Sequence, residues 1–257
     1  MRRDAGVRSL SKTIRVGQIV PSSNTTMETE IPAILGAREA IRSERFSFHS
    51  SRMRMQKVTK EQLEAMDADS LRCAAELADA DVDVMGYACL VAIMSMGLGY
   101  HAVSEQRLTD VARQTGHPAP VVTSAGALVQ GLAELNARRI SIVTPYMRPL
   151  TDLVVAYIED QGIQVADSIA LEIPDNLAVG RRDPMCLLKD VEALDLSGVD
   201  TVVISACVQM PSLAAIEPVQ DKLGLPVTTA AACTARKLLQ ALALEPVAPG
   251  AGAALDG

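Results

Sequence analysis

Two stretches of the chain repeat one another: ADVDVMGYACLVAIMSM at 80–96 and SGVDTVVISACVQMPSL at 197–213. Each carries a Val-Asp, then an apolar run, then Ala-Cys. A run buried on both faces belongs inside a parallel sheet. Upstream of each stands another strand signal, IRVGQIVP at 14–21 and RRISIVT at 138–144. From Ile14 to Cys89 is 75 residues, and from Ile140 to Cys207 is 67. Chance alignment of two Val-rich strands leaves the shared Val-Asp, Ala-Cys and spacing unexplained. The pattern predicts an internal duplication that places two cysteines at equivalent strand ends.

Helical patterns fill the intervals. SSNTTMETEIPAIL (22–35) has cap residues, then Glu28 and Glu30 for a positive first turn. VTKEQLEAMDADSLRCAAELADA (58–80) has helical apolar spacing with Thr59 as cap, and LPVTTAAACTARKLLQALAL (225–244) is a strand followed by an Ala/Leu helix. Strands alternating with helices predict an α/β fold with mostly parallel sheets. We expect a disordered tail over 1–13 and a first lobe over 14–124, completed by the C-terminal helix 231–245. The second lobe is expected over 125–230, after PVVTSAGALVQGLAEL (120–135) crosses between the two. Ligands of open α/β sheets bind beyond the carboxyl ends of the strands. Both cysteines fall at that edge, so two lobes face to face would oppose two thiols across a cleft.

Composition removes several function classes. A net charge of −7, four Tyr, two Phe and no Trp disfavour a nucleic-acid partner. No apolar run is long enough to span a membrane, and MRRDAGVRSLSKT lacks the apolar stretch of a signal peptide. Five cysteines without a CxxC pair, beside three His, suit free thiols in a reducing compartment and no structural zinc. A cytoplasmic protein is expected. An acidic chain still binds a small dianion where local dipoles favour it.

A cysteine at a strand-to-helix turn lies near backbone N–H groups and the positive helix end, which lower a thiol's pKa. A lone free cysteine is more often a small buried hydrophobe. Matched positions in two repeats favour chemistry for Cys89 and Cys207, whereas Cys73, Cys186 and Cys233 read as packing. The run Pro21-Ser22-Ser23-Asn24-Thr25-Thr26 is richer in polar groups than a helix cap needs, and Asn24 is its best carboxylate donor. Tyr146, in the corresponding turn of the second half, suits a cleft or a half-buried surface equally. Asn176 suits a turn as well as a ligand. His49, His101 and His117 form no catalytic pattern. Arg52 and Arg54 read as an exposed strand or loop.

GQIVPSSNTTME, GYACLVA and SACVQMPS, in that order, resemble the maleate isomerases of the aspartate/glutamate racemase superfamily, over about residues 14–250. The resemblance implies two similar flavodoxin-like lobes related by a pseudo-twofold axis, an active site in the cleft between them, and a homodimer. It implies no cofactor and no metal. It assigns the nucleophile to Cys89 and the second catalytic cysteine to Cys207, with Asn24, Leu90, Val91, Tyr146, Asn176, Val208 and Gln209 binding substrate. The implied reaction converts maleate to fumarate through a succinyl-cysteine; members of the family often serve nicotinate degradation. Racemases of the superfamily follow their cysteines with polar residues that hold an amino acid. Here Leu-Val-Ala and Val-Gln follow, an apolar wall suited to CH=CH. The resembling arylmalonate decarboxylases use a single cysteine. A two-cysteine racemase or epimerase of an amino acid or hydantoin is the alternative.

Overall fold

The computed structural model describes residues 13–56 and 58–256. The expected tail over 1–13 lies outside them except for Thr13, which opens the first strand. Four strands, β1 (Thr13–Pro21), β2 (Arg45–Met53), β3 (Val84–Tyr87) and β4 (Val121–Thr123), form a parallel sheet in the order β2-β1-β3-β4. Four more, β5 (Arg139–Thr144), β6 (Gln164–Ala170), β7 (Thr201–Ser205) and β8 (Val227–Thr229), form a second in the order β6-β5-β7-β8. The two halves thus share one topology, and its order is that of the first four strands of a flavodoxin-like sheet. The apolar runs occupy the inner strands β1, β3, β5 and β7, where Val16, Ile19, Val84, Ile140, Ile142 and Val203 are fully buried.

The helices are α1 (Met27–Arg38), α2 (Lys60–Asp79), α3 (Leu90–Ser95), α4 (Tyr100–Gln114), α5 (Ser124–Glu134), α6 (Arg148–Asp160), α7 (Asn176–Gly180), α8 (Leu187–Asp190), α9 (Ile216–Leu223) and α10 (Ala230–Ala241). Thr59 caps α2 as expected, its Oγ1 accepting from Gln62 N at 3.4 Å. The edge strand β6, QVADSIA, is half-buried along most of its length, and α4 buries His101 and Ser104 beside Leu108 and Ala112. Both show too little apolar contrast for a periodicity reading to name them.

The last helix stops at Ala241, short of the 245 expected from its composition. Ala243 takes a left-handed φ of 55°, and Leu244 N turns back to donate to Leu239 O at 2.9 Å. That closure satisfies a terminal carbonyl without the glycine that usually announces it. From β8, α10 crosses to pack on α1, α5, β3 and β4. Gly131 of α5 permits this approach, since a Cβ there would sit 2.9 Å from Cys233 Sγ.

Candidate active site

Cys89 follows β3 and Cys207 follows β7, so both stand at the carboxyl ends of inner strands. They line one small cavity, together with Asn24, Leu90, Val91, Tyr146, Asn176, Val208 and Gln209. All nine residues singled out in the sequence therefore converge. Pro21, Met55 and Val58 complete the wall; Met55 and Val58 come from the β2–α2 loop, whose polar sequence carries no signal for such a role. The cavity has about 20 Å³ for the centre of a water, room for one molecule. At Val58, Tyr146 and Asn176 it adjoins a wider cavity of about 440 Å³ by the same measure. Among the described residues, no Arg or Lys lines the cysteine cavity.

The two cysteines sit in different turns. Cys89 is the N-cap of α3 and holds φ 89°, ψ 73°, a left-handed conformation that costs a non-glycine residue about 1–3 kcal/mol. The Ala92 N–H points at its sulfur, yet burial outweighs that donor and pushes the thiol up to about 12. The expectation of a lowered pKa is therefore reversed. No helix begins at Cys207, contrary to the sequence reading. Pro211 lacks the amide that would reach the Cys207 carbonyl in an α-turn. Ser205 Oγ donates to that carbonyl instead, at 2.8 Å. The resulting loop turns Gln209 N toward Cys207 Sγ, at 3.4 Å, with the Tyr146 hydroxyl as a further donor, while Met210 N donates to the Cys207 carbonyl at 3.3 Å. Burial still raises this thiol above its ordinary value.

The polar turn after β1 is longer than a cap because it ties three other loops together. Ser22 Oγ exchanges hydrogen bonds with Met55 of the β2–α2 loop, at 3.2 and 3.0 Å. Ser23 Oγ accepts from Asn176 Nδ2 at 2.7 Å. Thr25 N donates to Gln209 Oε1 at 3.1 Å, and Thr26 Oγ1 donates to Gln209 O at 2.7 Å. Asn24 alone divides its amide. Its Oδ1 accepts from Met27 N at 3.1 Å, serving the first free amide of α1. Its Nδ2 has no protein partner among the described residues, on a side chain that is 2% exposed and lines the cavity. Arg52 supports the same turn, donating to Ser22 O and Asn24 O at 3.0 and 2.7 Å while pairing with Glu28.

Gln209 lines the cavity, but its side chain is engaged elsewhere: Nε2 donates to Ser23 O at 3.0 Å and to Asn176 O at 2.9 Å. What it offers toward the cysteine is its backbone N–H. Of the cysteines read as packing, Cys73 and Cys233 are buried, whereas Cys186 is exposed at the end of a short helical turn, contrary to a packing role. His101 meets Tyr157 across α4 and α6, at 2.6 Å. Arg148, exposed, binds Ser168 and pairs with Asp152. Among the described residues no His/Cys/Asp/Glu group is arranged for a metal, and no helix is long and apolar enough to cross a membrane.

Known proteins place this arrangement. The arylmalonate decarboxylase family profile matches residues 16–255. A maleate isomerase of Pseudomonas putida is 62% identical over 248 residues, covering 96% of this chain and 99% of its own. Another P. putida maleate isomerase, solved with maleate, superimposes with a TM-score of 0.94 at 58% identity over 96% of this chain and 98% of its own. A Nocardia farcinica maleate cis-trans isomerase variant, solved with a covalently bound succinylcysteine intermediate, gives 0.90 at 46% identity over 94% and 98%. Arylmalonate decarboxylase itself shares the fold, at 0.77 and 21% identity. This two-cysteine α/β chain belongs to the maleate isomerase family, within the group that also holds the arylmalonate decarboxylases.

Proposed function

We propose that the protein is a maleate cis–trans isomerase that produces fumarate without a cofactor, through a succinyl-cysteine intermediate. One observation carries the reading: two buried cysteines from equivalent strand ends share a cavity walled by Leu90, Val91 and Val208 and edged by Asn24, Tyr146 and Asn176. The active cleft lies between a lobe of residues 14–124, completed by the C-terminal helix, and a lobe of 125–230.

A C=C bond does not rotate until its π bond is broken. The Cys89 thiolate attacks one alkene carbon and forms a C–S bond. The π pair moves to the neighbouring carbon and into its carboxylate, and Cys207 gives that carbon its proton. Rotation about the new single bond follows. Cys207, now a thiolate, removes a proton, the C–S bond breaks, and fumarate leaves with both thiols restored to their starting charge. Covalent addition replaces one hard step by easier ones. The left-handed Cys89 backbone aims its sulfur off the strand end. Donors near the developing negative charge lower the barrier; Asn24 Nδ2 and the second N–H of Asn176 Nδ2 serve this role. Tyr146 and the Gln209 amide steady Cys207 as it gains charge.

The pure protein incubated with maleate is expected to form fumarate, followed by proton NMR. Absence of fumarate, with solvent-proton exchange into aspartate, glutamate or a hydantoin, would replace this reading with the racemase one. The apolar residues after each cysteine offer an ammonium group nothing to bind, which favours the isomerase.

A further inference from the structure

Glu30 stands on α1, in the first half of the chain, and is 7% exposed. Its carboxylate reaches into the second half. Oε1 accepts from Ser212 N at 2.5 Å and Leu213 N at 2.7 Å, and Oε2 accepts from Ser212 Oγ at 3.2 Å. Among the described residues these donors are backbone and hydroxyl groups, and Glu30 takes part in no ion pair. A buried carboxylate without a cation is costly unless its lone pairs are used. A residue chosen only to fill the helix face would not be an acid.

Thr26, one turn earlier on the same face, donates to Gln209 O at 2.7 Å. Thr26 at the N-cap of α1 and Glu30 in its first turn therefore grip the 207–213 loop at two points. The first of those points is Gln209, whose N–H donates to the Cys207 sulfur at 3.4 Å, and between the points lies Met210, whose N–H donates to the Cys207 carbonyl at 3.3 Å. Cys89 has no such arrangement: its donor is the Ala92 amide within its own helix, and no carboxylate is among the groups acting on it. The titratable groups acting on Cys207 are Tyr146 from the β5–α6 turn and Cys89 from the β3–α3 turn, which share its cavity, and Glu30 from α1, which bonds its loop. Glu217 of α9 lines the same outer groove as Glu30.

We infer that Glu30 is a positioning residue for the isomerisation: it clamps the Cys207 loop across the boundary between the halves and sets a negative charge on that cysteine's side of the cleft alone. This deepens the proposed reaction and rests on it for its meaning. The reaction needs one thiol to begin as a proton donor and the other as a nucleophile, although both come from equivalent positions of a duplicated fold. A carboxylate bonded to the loop that carries one of them breaks that equivalence. It disfavours the Cys207 thiolate, adding to the effect of burial, and so favours Cys207 as the proton donor. Burial pushes the Glu30 carboxyl up, and its three donors pull it back toward the ionised form.

The test uses thiol reactivity, which needs no substrate. Glu30→Gln keeps an acceptor for the loop amides and removes the charge. Rates of iodoacetamide alkylation are followed against pH for Cys207 in a Cys89→Ala background and for Cys89 in a Cys207→Ala background, with the modified site assigned by mass spectrometry. Glu30→Gln should move the Cys207 profile to lower pH by about one pH unit and leave the Cys89 profile in place. With both cysteines present, it should lower kcat roughly tenfold with KM nearly unchanged. Glu30→Ala, which also frees the loop, should lower kcat further. An unmoved Cys207 profile in a folded Glu30→Gln protein overturns the inference, as do equal shifts at both cysteines. If wild-type protein leaves maleate unchanged while the Cys207 profile still shifts, the proposed function fails and the electrostatic role of Glu30 stands.

Discussion

Replacing Asn24 by Asp separates the two jobs of this side chain. The carboxylate keeps an acceptor for Met27 N, now at 3.1 Å from Oδ1, so the start of α1 stays satisfied. The donor facing the cavity is lost, and a negative charge takes its place. A charge about 4 Å from a substrate carboxylate is disfavoured by roughly 4 kcal/mol at an effective dielectric of 20. Taking up a proton relieves the repulsion, and at pH 7 that costs an ordinary Asp about 4 kcal/mol. Both routes converge on a loss in kcat/KM of roughly a thousandfold. The protonation route adds a signature: the ratio of Asp-variant to wild-type activity at each pH should recover as pH falls, by about tenfold per pH unit. Asn24→Ala behaves differently. Losing one hydrogen bond to a charged group costs about 1.5–3 kcal/mol, roughly tenfold to a hundredfold in kcat/KM. Losing the helix-start acceptor costs about 1 kcal/mol, which lowers Tm by about 2–4 °C. Proton NMR of fumarate formation, paired with thermal melts, reads both effects. An Asp variant within tenfold of wild type at pH 7, or one that melts as low as the Ala variant, would refute the assignment of Nδ2 to the substrate and Oδ1 to the helix.

Other tests address the remaining parts of the site. Cys207→Ser should reduce kcat by roughly a hundredfold or more, because a hydroxyl is a poor acid near neutral pH; mass spectrometry should find a succinyl group on Cys89, and Cys186→Ser, at an exposed position, should match wild type. Burial raises both active-site thiols, Cys89 to about 12, so the reactive form with one proton removed is scarce at neutral pH. The kcat/KM of wild type should therefore climb between about pH 6 and about pH 9; a profile flat across that range would refute raised thiols as the source of the reactive form. Gly180→Ala would place a Cβ 2.5 Å from Gln209 Nε2. It should displace the amide that joins Ser23 to Asn176, lowering stability by about 1–3 kcal/mol and kcat/KM with it, whereas an unchanged Tm and rate would mean the clamp is slack.

The duplication was legible in the chain because parallel-sheet strands must be apolar along their whole length, and two such runs ended in the same Ala-Cys. That alone determined two equivalent sheets and two cysteines at matching strand ends. Cap chemistry was legible for the same local reason: Thr59 bonds to an amide three residues away. Asn24 could be named from its turn, but its division between helix and cavity depends on the direction of each amide atom. Tertiary structure decided everything that joins distant segments. The family resemblance assigns Gln209 to substrate binding; only the folded structure shows its side chain bonded to Ser23, Thr25 and Asn176. Met55 and Val58 reach the cavity from a loop with no distinguishing pattern. The sign of the thiol shifts also lay beyond local reading, since a nearby backbone N–H lowers a thiol while burial in the folded protein raises it more. Glu30 was read as a favourable charge in the first turn of a helix, a role any exposed acid fills. Only the packing of α1 against the Cys207 loop, 182 residues further along the chain, shows a buried carboxylate between the halves. Local rules follow from the backbone of a few neighbouring residues; desolvation and long-range hydrogen bonds exist only once the two halves have closed on each other.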